Sequence, residues 1–357
     1  MIVVLTSNYN GAILQLAFQI RNEFIKIHGE SVLFLPSKAK VENDSLVERY
    51  ERKNSLSLFD KQYLFIAKRI ETYKPEFVFV CDTNLITSRI VHNLSKTIPI
   101  VMVVHDVNEH PNYRTVTNYF KNIFKKPYIY QALKEANQIV LMSNHSYKEF
   151  KKKNPQFKNK ISLIKLGAHV PTVKKEEPPE LKGEKGFILF FGRLDKYKGI
   201  INLLKAYELE KENINRKIII AGNGTLTKEE KRIIDKYPKS ILLVKRYISD
   251  GEMIWLFKNA SCTVLPYIEA SQSGVLSMSL YFGKPVIVSN VEGLTEFVEE
   301  GKTGVIFSNI EELSKYMISI PNYEKIMKKS IKEYYESNLN WEYNIRKFIY
   351  TTNIMKQ

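Results

Sequence analysis

Short runs of consecutive apolar residues alternate along this chain with longer stretches in which apolar positions recur every three to four residues. The short runs read as strands and the longer ones as amphipathic helices. In the first half the pattern predicts strands at Met1–Thr6, Ser31–Leu35, Glu76–Cys81, Ile98–His105, Gln138–Met142 and Ile161–Ile164, and a helix over Ala12–Ile27. These strands lack the in–out alternation of a sheet with one wet face. Continuous Val/Ile/Leu runs separated by helices point instead to a parallel sheet covered on both faces, an α/β layer architecture.

The pattern stops at Pro171. The stretch PTVKKEEPPELKGEKG is charged, proline-rich and aperiodic, and it reads as a linker over 171–185. Beyond it the alternation restarts, with strands at Phe187–Phe191, Lys217–Ala221, Ile241–Val244, Cys262–Pro266 and Pro285–Ser289. Helices are expected at Gly199–Leu209 and Lys228–Lys236, and Tyr323–Lys356 is helical in period with Trp341 and Tyr343 as packing anchors. The expected organisation is a Rossmann-like domain over 1–170, a second over 186–340, and a last helix, 341–357, packing back on the first. Such sheets take ligands at the carboxyl ends of their strands. Two of them facing across a cleft form a ligand-binding arrangement whose chemistry the architecture does not name.

Composition narrows the classes. Cys81 and Cys262, the two cysteines among 357 residues, each sit in an apolar run and read as buried free thiols of a reducing compartment. The N-terminus has no basic region, and no apolar run approaches the roughly 20 residues that cross a bilayer, so a cytoplasmic protein is expected. The formal net charge is +16 and uneven: residues 1–170 hold 25 Lys/Arg against 14 Asp/Glu. The excess clusters at Lys121, Lys125 and Lys126, and again at Lys148, Lys151, Lys152, Lys153, Lys158 and Lys160. A basic face suits nucleic acid, an anionic membrane surface or anionic small molecules, or is a plain solvated surface. No helix-turn-helix, zinc-ligand set or RNP motif accompanies it, so no nucleic-acid partner is expected.

Three stretches carry chemistry. In FILFFGRLDKYKGIINLLKAY a buried strand ends at Phe191 and turns at Gly192. Arg193 and Lys198 follow, and Gly199 opens a helix. Two cations beside a helix N-terminus suit a pyrophosphate, although a surface loop with two solvated cations has the same composition. In KIIIAGNGTL a strand runs into Gly222-Asn223-Gly224, a turn where a ligand or another backbone can come close. It is no dinucleotide fingerprint, because Thr227 replaces the third glycine. In the third stretch a strand ends at Pro266, and a loop with Ser271, Gln272, Ser273 and Gly274 leads into a helix closing at Gly283. A Ser/Gly loop at a helix N-terminus again favours an anion.

Together these stretches resemble the C-terminal half of the retaining glycosyltransferases of family 4, which have the GT-B fold. The resemblance rests on G-R-L-x-x-x-K-G at Gly192–Gly199, A-G-x-G at Ala221–Gly224, and P-Y…Q-S-G…G-K-P-V-I at Pro266–Ile287. The E-G-x-T-G turn at Glu300–Gly304 completes it. In the first half it is looser, with Gly11 after the first strand, V-V-H-D at Val103–Asp106 and L-G-A-H-V at Leu166–Val170. The resemblance implies that Arg193 and Lys198 bind the donor diphosphate and that His105 faces the transferred sugar. It puts Gly11 near the donor phosphates or the acceptor, and it gives Ser273 and Gly274 backbone N–H groups to offer the donor. Gly222 and Gly224 fall in the donor region. Asp106 and His110, in the polar loop after His105, are candidate acceptor contacts. The family commonly carries two glutamates separated by seven residues in the third stretch. Here Glu269 is followed eight positions on by Ser277, and a gapless alignment puts Ala270 and Met278 at those places instead. Glu269 is therefore either a donor-sugar ligand or a surface carboxylate.

The implied reaction moves a sugar from a nucleotide diphosphate sugar to an acceptor hydroxyl with retention at the anomeric carbon. Preorganised cations would stabilise the departing diphosphate. No cofactor is expected beyond the nucleotide sugar itself. There is no Asp-x-Asp motif and no ligand cluster at metal spacing, so no metal is expected. The expected partners are the nucleotide sugar, a glycan or lipid-linked glycan acceptor and an anionic membrane surface, with bacterial surface polysaccharide or glycolipid synthesis as the setting. The expected location is the cytoplasm, peripheral at the inner membrane face. The alternative is a non-catalytic nucleotide-sugar or polyanion-binding protein of the same fold. A two-domain dehydrogenase is disfavoured by the missing G-x-G-x-x-G.

Overall fold

The computed structural model describes residues 1–39, 44–51, 61–105, 107 and 116–356, with 116–125 and 356 described by backbone alone. The chain divides into two α/β units, Met1–Lys165 with Trp341–Gln357, and Leu166–Asn340. The first unit runs β1 (Ile2–Leu5), α1 (Gly11–His28), β2 (Ser31–Pro36), β3 (Val47–Tyr50), α2 (Gln62–Glu71), β4 (Phe77–Val80), α3 (Leu85–Asn93), β5 (Ile100–Val103), α4 (Val116–Glu135), β6 (Gln138–Leu141), α5 (Asn144–Lys153) and β7 (Ile161–Leu163). Among the described residues its seven strands are all parallel, in the order β3-β2-β1-β4-β5-β6-β7. Every position of β1 and β4 is buried, which is why their sequence shows no alternation. Phe24 of α1 fills the space over this sheet, with its ring 5.5 Å and edge-on from those of both Phe77 and Phe79.

The second unit runs β8 (Phe187–Phe191), α6 (Ile200–Glu210), β9 (Ile218–Ala221), α7 (Lys228–Lys236), β10 (Ile241–Val244), α8 (Asp250–Asn259), β11 (Ala260–Leu265), α9 (Gly274–Tyr281), β12 (Val286–Ser289), α10 (Glu292–Thr295), β13 (Gly304–Phe307), α11 (Ile310–Ser319) and α12 (Glu324–Asn338). Its six parallel strands are ordered β10-β9-β8-β11-β12-β13. Capping boxes start two of its helices, Thr227 with Glu230 on α7 and Ser249 with Glu252 on α8. In each sheet the strand order reverses beside the first strand of the unit, between β1 and β4 and between β8 and β11. There the loops at the carboxyl ends diverge and leave room for a ligand.

The last helix, α13 (Trp341–Thr352), packs on α1 in the first unit, and its Phe348 ring meets Phe79 edge-on at 6.4 Å. The helical period of 323–356 is broken at Leu339 and Asn340, where α12 ends with Leu339 buried. Trp341 is buried as an anchor, but Tyr343 is 47% exposed. It lies on the solvent face of α13, so the periodic reading placed it one face too far round. The pattern also passed over β3, an edge strand whose four residues include only one buried side chain, Tyr50. Cys81 and Cys262 are both buried free thiols. Burial pushes the Cys262 thiol up to about 12, so it stays protonated and unreactive.

Residues 166–185 lie within the second unit. Leu181 is buried there, and the Glu176 N–H donates to the Gly251 carbonyl at 3.0 Å. Arg246, after β10, forms the clamp. It holds Glu180 through two bonds of 2.8 Å and Glu252 through bonds of 2.8 and 2.6 Å. The hydrogen bonds from Arg246 bring the Glu180 carboxyl down from its ordinary 4.5 to about 2. A carboxylate lowered in the folded state stabilises above its unfolded value and loses that contribution as pH falls towards the folded one. Arg246→Met is expected to destabilise by about 1–2 kcal/mol at pH 7. Most of that comes from Glu252, because Glu180 is largely solvent-screened. In urea titrations the gap between variant and wild type should narrow as pH falls below 4.5, because both carboxyls are held below that ordinary value in the folded state. A gap independent of pH would contradict the clamp.

Candidate active site

At the edge where β8 and β11 end, two loops lie backbone against backbone. The chain leaves β8 through Gly192, and Arg193 follows with its side chain 69% exposed and 3.0 Å from Asp195. A short 3-10 turn, Lys196–Lys198, brings the chain to Gly199, which caps α6 in the left-handed region at φ +64°. A Cβ at Gly199 would stand 1.9 Å from the Pro266 carbonyl oxygen, so only glycine lets the two loops close. The glycines of the β9 turn act alike. A Cβ at Gly222 would stand 1.8 Å from the Gly192 carbonyl oxygen, and one at Gly224 would be 2.7 Å from the Leu194 backbone. Thr225 N–H donates to Leu194 O, and Leu194 N–H to Asn223 O. The close approach expected at Gly222 and Gly224 is thus that of the chain's own backbone.

Lys198 is half-buried, and its ammonium lies 3.7 Å from the centre of the Tyr267 ring and 5.0 Å from that of Tyr197. Tyr267, two residues past β11, is itself buried. The loop then passes half-buried Glu269 and reaches Ser273, the buried N-cap of α9, whose Oγ accepts from the Leu276 N–H. Gly274 is the exposed first residue of that helix. The loop is braced from behind, since a Cβ at Gly293 would meet the Ala270 carbonyl oxygen at 2.0 Å. Gln272 Oε1 is buried without a hydrogen-bond partner among the described residues, an acceptor held ready for a donor. Arg193, Lys198, Ser273 and Gly274 therefore share one edge, which presents cations and free helix N–H groups to an anion.

The corresponding edge of the first unit holds Gly11 and His105. Gly11 begins α1 at φ +74° and faces open space. His105 is half-buried, with Nε2 2.7 Å from the Cys81 carbonyl oxygen. A carbonyl only accepts, so Nε2 carries the hydrogen, and Nδ1 of the neutral ring is left as acceptor. Next to Cys81, the buried Asp82 carboxylate accepts from Ser7 Oγ at 2.6 Å, Asn8 Nδ2 at 2.8 Å, Asn84 Nδ2 at 2.5 Å and the Ser7 N–H. Burial pushes its carboxyl above the ordinary range, and the hydrogen bonds from Ser7 and Asn84 pull the other way. This cluster ties the loops after β1 and β4 together, and sequence reading missed it. Its one trace there is a polar residue two positions past each of two continuous apolar strands. Asp106 and His110 lie outside the described residues.

Residues 173–337 match the family model described as glycosyl transferases group 1. The second unit is a group 1 glycosyltransferase domain. The whole chain is similar in fold to HepE of Anabaena, a crystal structure in complex with UDP and glucose, at TM-score 0.71 and 15% identity, covering 99% of both chains. It is 26% identical over 335 residues to the alpha-monoglucosyldiacylglycerol synthase of Acholeplasma laidlawii, covering 82% of this chain and 80% of that protein. An uncharacterized glycosyltransferase of Methanocaldococcus jannaschii is also 26% identical, over 64% of this chain. That match spans 62% of the relative, under two thirds of its length. Both units have the parallel α/β sheets of the GT-B fold.

In this glycosyltransferase domain, the two positions at which the second glutamate of the pair would fall are used otherwise. Ser277, on α9, donates to the Leu166 carbonyl at 2.6 Å, and Met278 is buried in the core. Ala270 is the residue whose carbonyl packs on Gly293. The basic clusters are placed in part. Lys148, Lys151, Lys152, Lys153 and Lys158 are exposed on and after α5, as is Lys126 on α4. Lys160 is a correction: its ammonium donates to the carbonyls of Lys134 and Ala136 at 2.7 Å, capping the end of α4. The side chains of Lys121 and Lys125 lie outside the described residues.

Proposed function

We propose that the chain is a retaining glycosyltransferase that moves a sugar from a nucleoside diphosphate to an acceptor hydroxyl without a metal ion. The observation that carries this reading is the edge of the second unit, where Lys198, Arg193 and the N-terminus of α9 stand together within the matched domain. Negative charge develops on the departing diphosphate, and fixed cations and N–H dipoles lower the barrier to its departure. Lys198 and the α9 N-terminus would hold the phosphates. The exposed Arg193 would leave Asp195 to meet them, and Gln272 Oε1 would accept from a sugar hydroxyl. Glu269 stays a candidate sugar contact. The edge with Gly11 and His105 is assigned to the acceptor and the transferred sugar, with Nδ1 of His105 accepting from a hydroxyl. Support for a nucleotide donor comes from the HepE complex with UDP and glucose.

The acceptor class follows from two supports. One is the likeness to a diacylglycerol glycolipid synthase, and the other is the exposed lysines of α5. We assign the chain to glycolipid or surface polysaccharide synthesis, peripheral at an anionic membrane face, with each basic residue near the surface adding about 1 kcal/mol of attraction. The competing reading, binding of a nucleotide sugar without turnover, is favoured by Ser277 and Met278 standing where a glutamate would hold the ribose.

Two experiments separate these readings. In a thermal-shift screen with UDP, GDP, dTDP and ADP in EDTA, one nucleotide at 100 times its dissociation constant should stabilise the wild type by about 2.7 kcal/mol. At that concentration Arg193→Ala and Lys198→Ala should be shifted much less, their affinity being weakened. NMR of the product formed from the matching α-linked sugar donor should then show an α anomer. A β product would contradict retention, and nucleotide binding without turnover would leave the binding-only reading. For the membrane, co-sedimentation with vesicles should require anionic lipid and fall with salt. Binding indifferent to both would remove the peripheral assignment.

A further inference from the structure

Lys198 makes no ion pair or hydrogen bond among the described residues; what its ammonium meets are two aromatic rings. Arg193 differs, since a carboxylate stands beside it. A carboxylate would fix a lysine too, but it would cancel the charge and occupy N–H donors. An aromatic face attracts the cation through its quadrupole, leaving the charge uncancelled and the donors free. We propose that Tyr267 is a positioning residue for the donor diphosphate: its buried ring seats the Lys198 ammonium without neutralising it. The proposal rests on the reading of this edge as the diphosphate site.

The seat is rigid at both ends. The Tyr267 carbonyl accepts from Ser289 Oγ at 2.6 Å, and its hydroxyl lies 3.4 Å from Ser273 Oγ, the cap of α9. The ring is 2% exposed, so it has no room to turn away. The Ile268 N–H donates to the Tyr197 carbonyl at 2.8 Å, and Gly199 stands against Pro266 O, so the lysine loop and the tyrosine loop are one unit. A lysine on a flexible four-carbon stem gains from such a seat, because its position no longer has to be fixed when the phosphate arrives. Through Ser273 the same ring adjoins the N-terminus of α9, the second anion-binding feature of the site. Tyr197 is the lesser partner, being farther from the ammonium and half-buried.

The test is a double-mutant cycle read by calorimetry with the nucleoside diphosphates UDP, GDP, dTDP and ADP. Tyr267→Leu should weaken binding about tenfold, while Tyr267→Phe, which keeps the ring, should stay within about threefold of wild type. In a Lys198→Ala background Tyr267→Leu should add no further loss. Fluorinated phenylalanines at 267 keep the shape of the ring and withdraw its electrons, so affinity should fall stepwise with fluorine count even where the leucine variant does not fold. Independently of any ligand, the Lys198 ε-methylene protons should be shifted upfield by the ring in wild type and Tyr267→Phe. A leucine loss that persists in Lys198→Ala, or affinity indifferent to fluorination, would overturn the proposal alone. Absence of nucleotide binding by a wild type that shows the upfield shift would overturn the donor reading, and the proposal with it.

Discussion

The edge of the second sheet depends on backbone meeting backbone at contact distance. Gly199 against the Pro266 carbonyl joins the loops after β8 and β11, and Gly222 against the Gly192 carbonyl joins those after β8 and β9. No side chain can enter either contact, and the turn at Gly199 needs a conformation that other residues reach only with strain. Because these loops cannot slide over one another, Arg193, Lys198, Tyr267 and the start of α9 hold fixed relative positions. Preorganisation of this kind lets a few cations act on a leaving group without first being gathered.

Much of the second unit was legible in its sequence for the same reason. A buried parallel strand writes itself as an unbroken apolar run, and a glycine directly after such a run marks a close approach. Phe187–Phe191 followed by Gly192, and Ile218–Ala221 followed by Gly222, show both features. Spacing could not say what approaches. At Gly222 and Gly224 it is the chain's own backbone. Nothing local marked Tyr267 as a seat for Lys198, since an aromatic after a strand reads as core, and core it is. Its partner Lys198 lies 69 positions earlier in the chain, and no local pattern joins the two.

The first unit was harder to read. The Asp82 cluster gathers Ser7 and Asn8 from beyond β1 with Asn84 at the start of α3, which lies 77 residues after Ser7 in sequence. Each is an unremarkable polar residue in isolation. Only the adjacency of β1 and β4 brings them together, and sheet order is what apolar periodicity leaves open. Tyr343 and Lys160 went astray differently, because period and composition assign faces and charges without the partner that decides them. For Lys160 the partner is a pair of helix-end carbonyls.

The central claim is that the anion-binding edge of the second unit holds a nucleoside diphosphate through Lys198 and the α9 N-terminus. A crystal structure of the protein grown with the nucleoside diphosphate it binds tests this most directly. The account predicts phosphate oxygens within hydrogen-bond distance of Lys198 Nζ and of the backbone N–H groups of the first turn of α9, with Lys198 still over Tyr267. Phosphates bound away from this edge, or a Lys198 that leaves the ring to pair with a carboxylate, would contradict it.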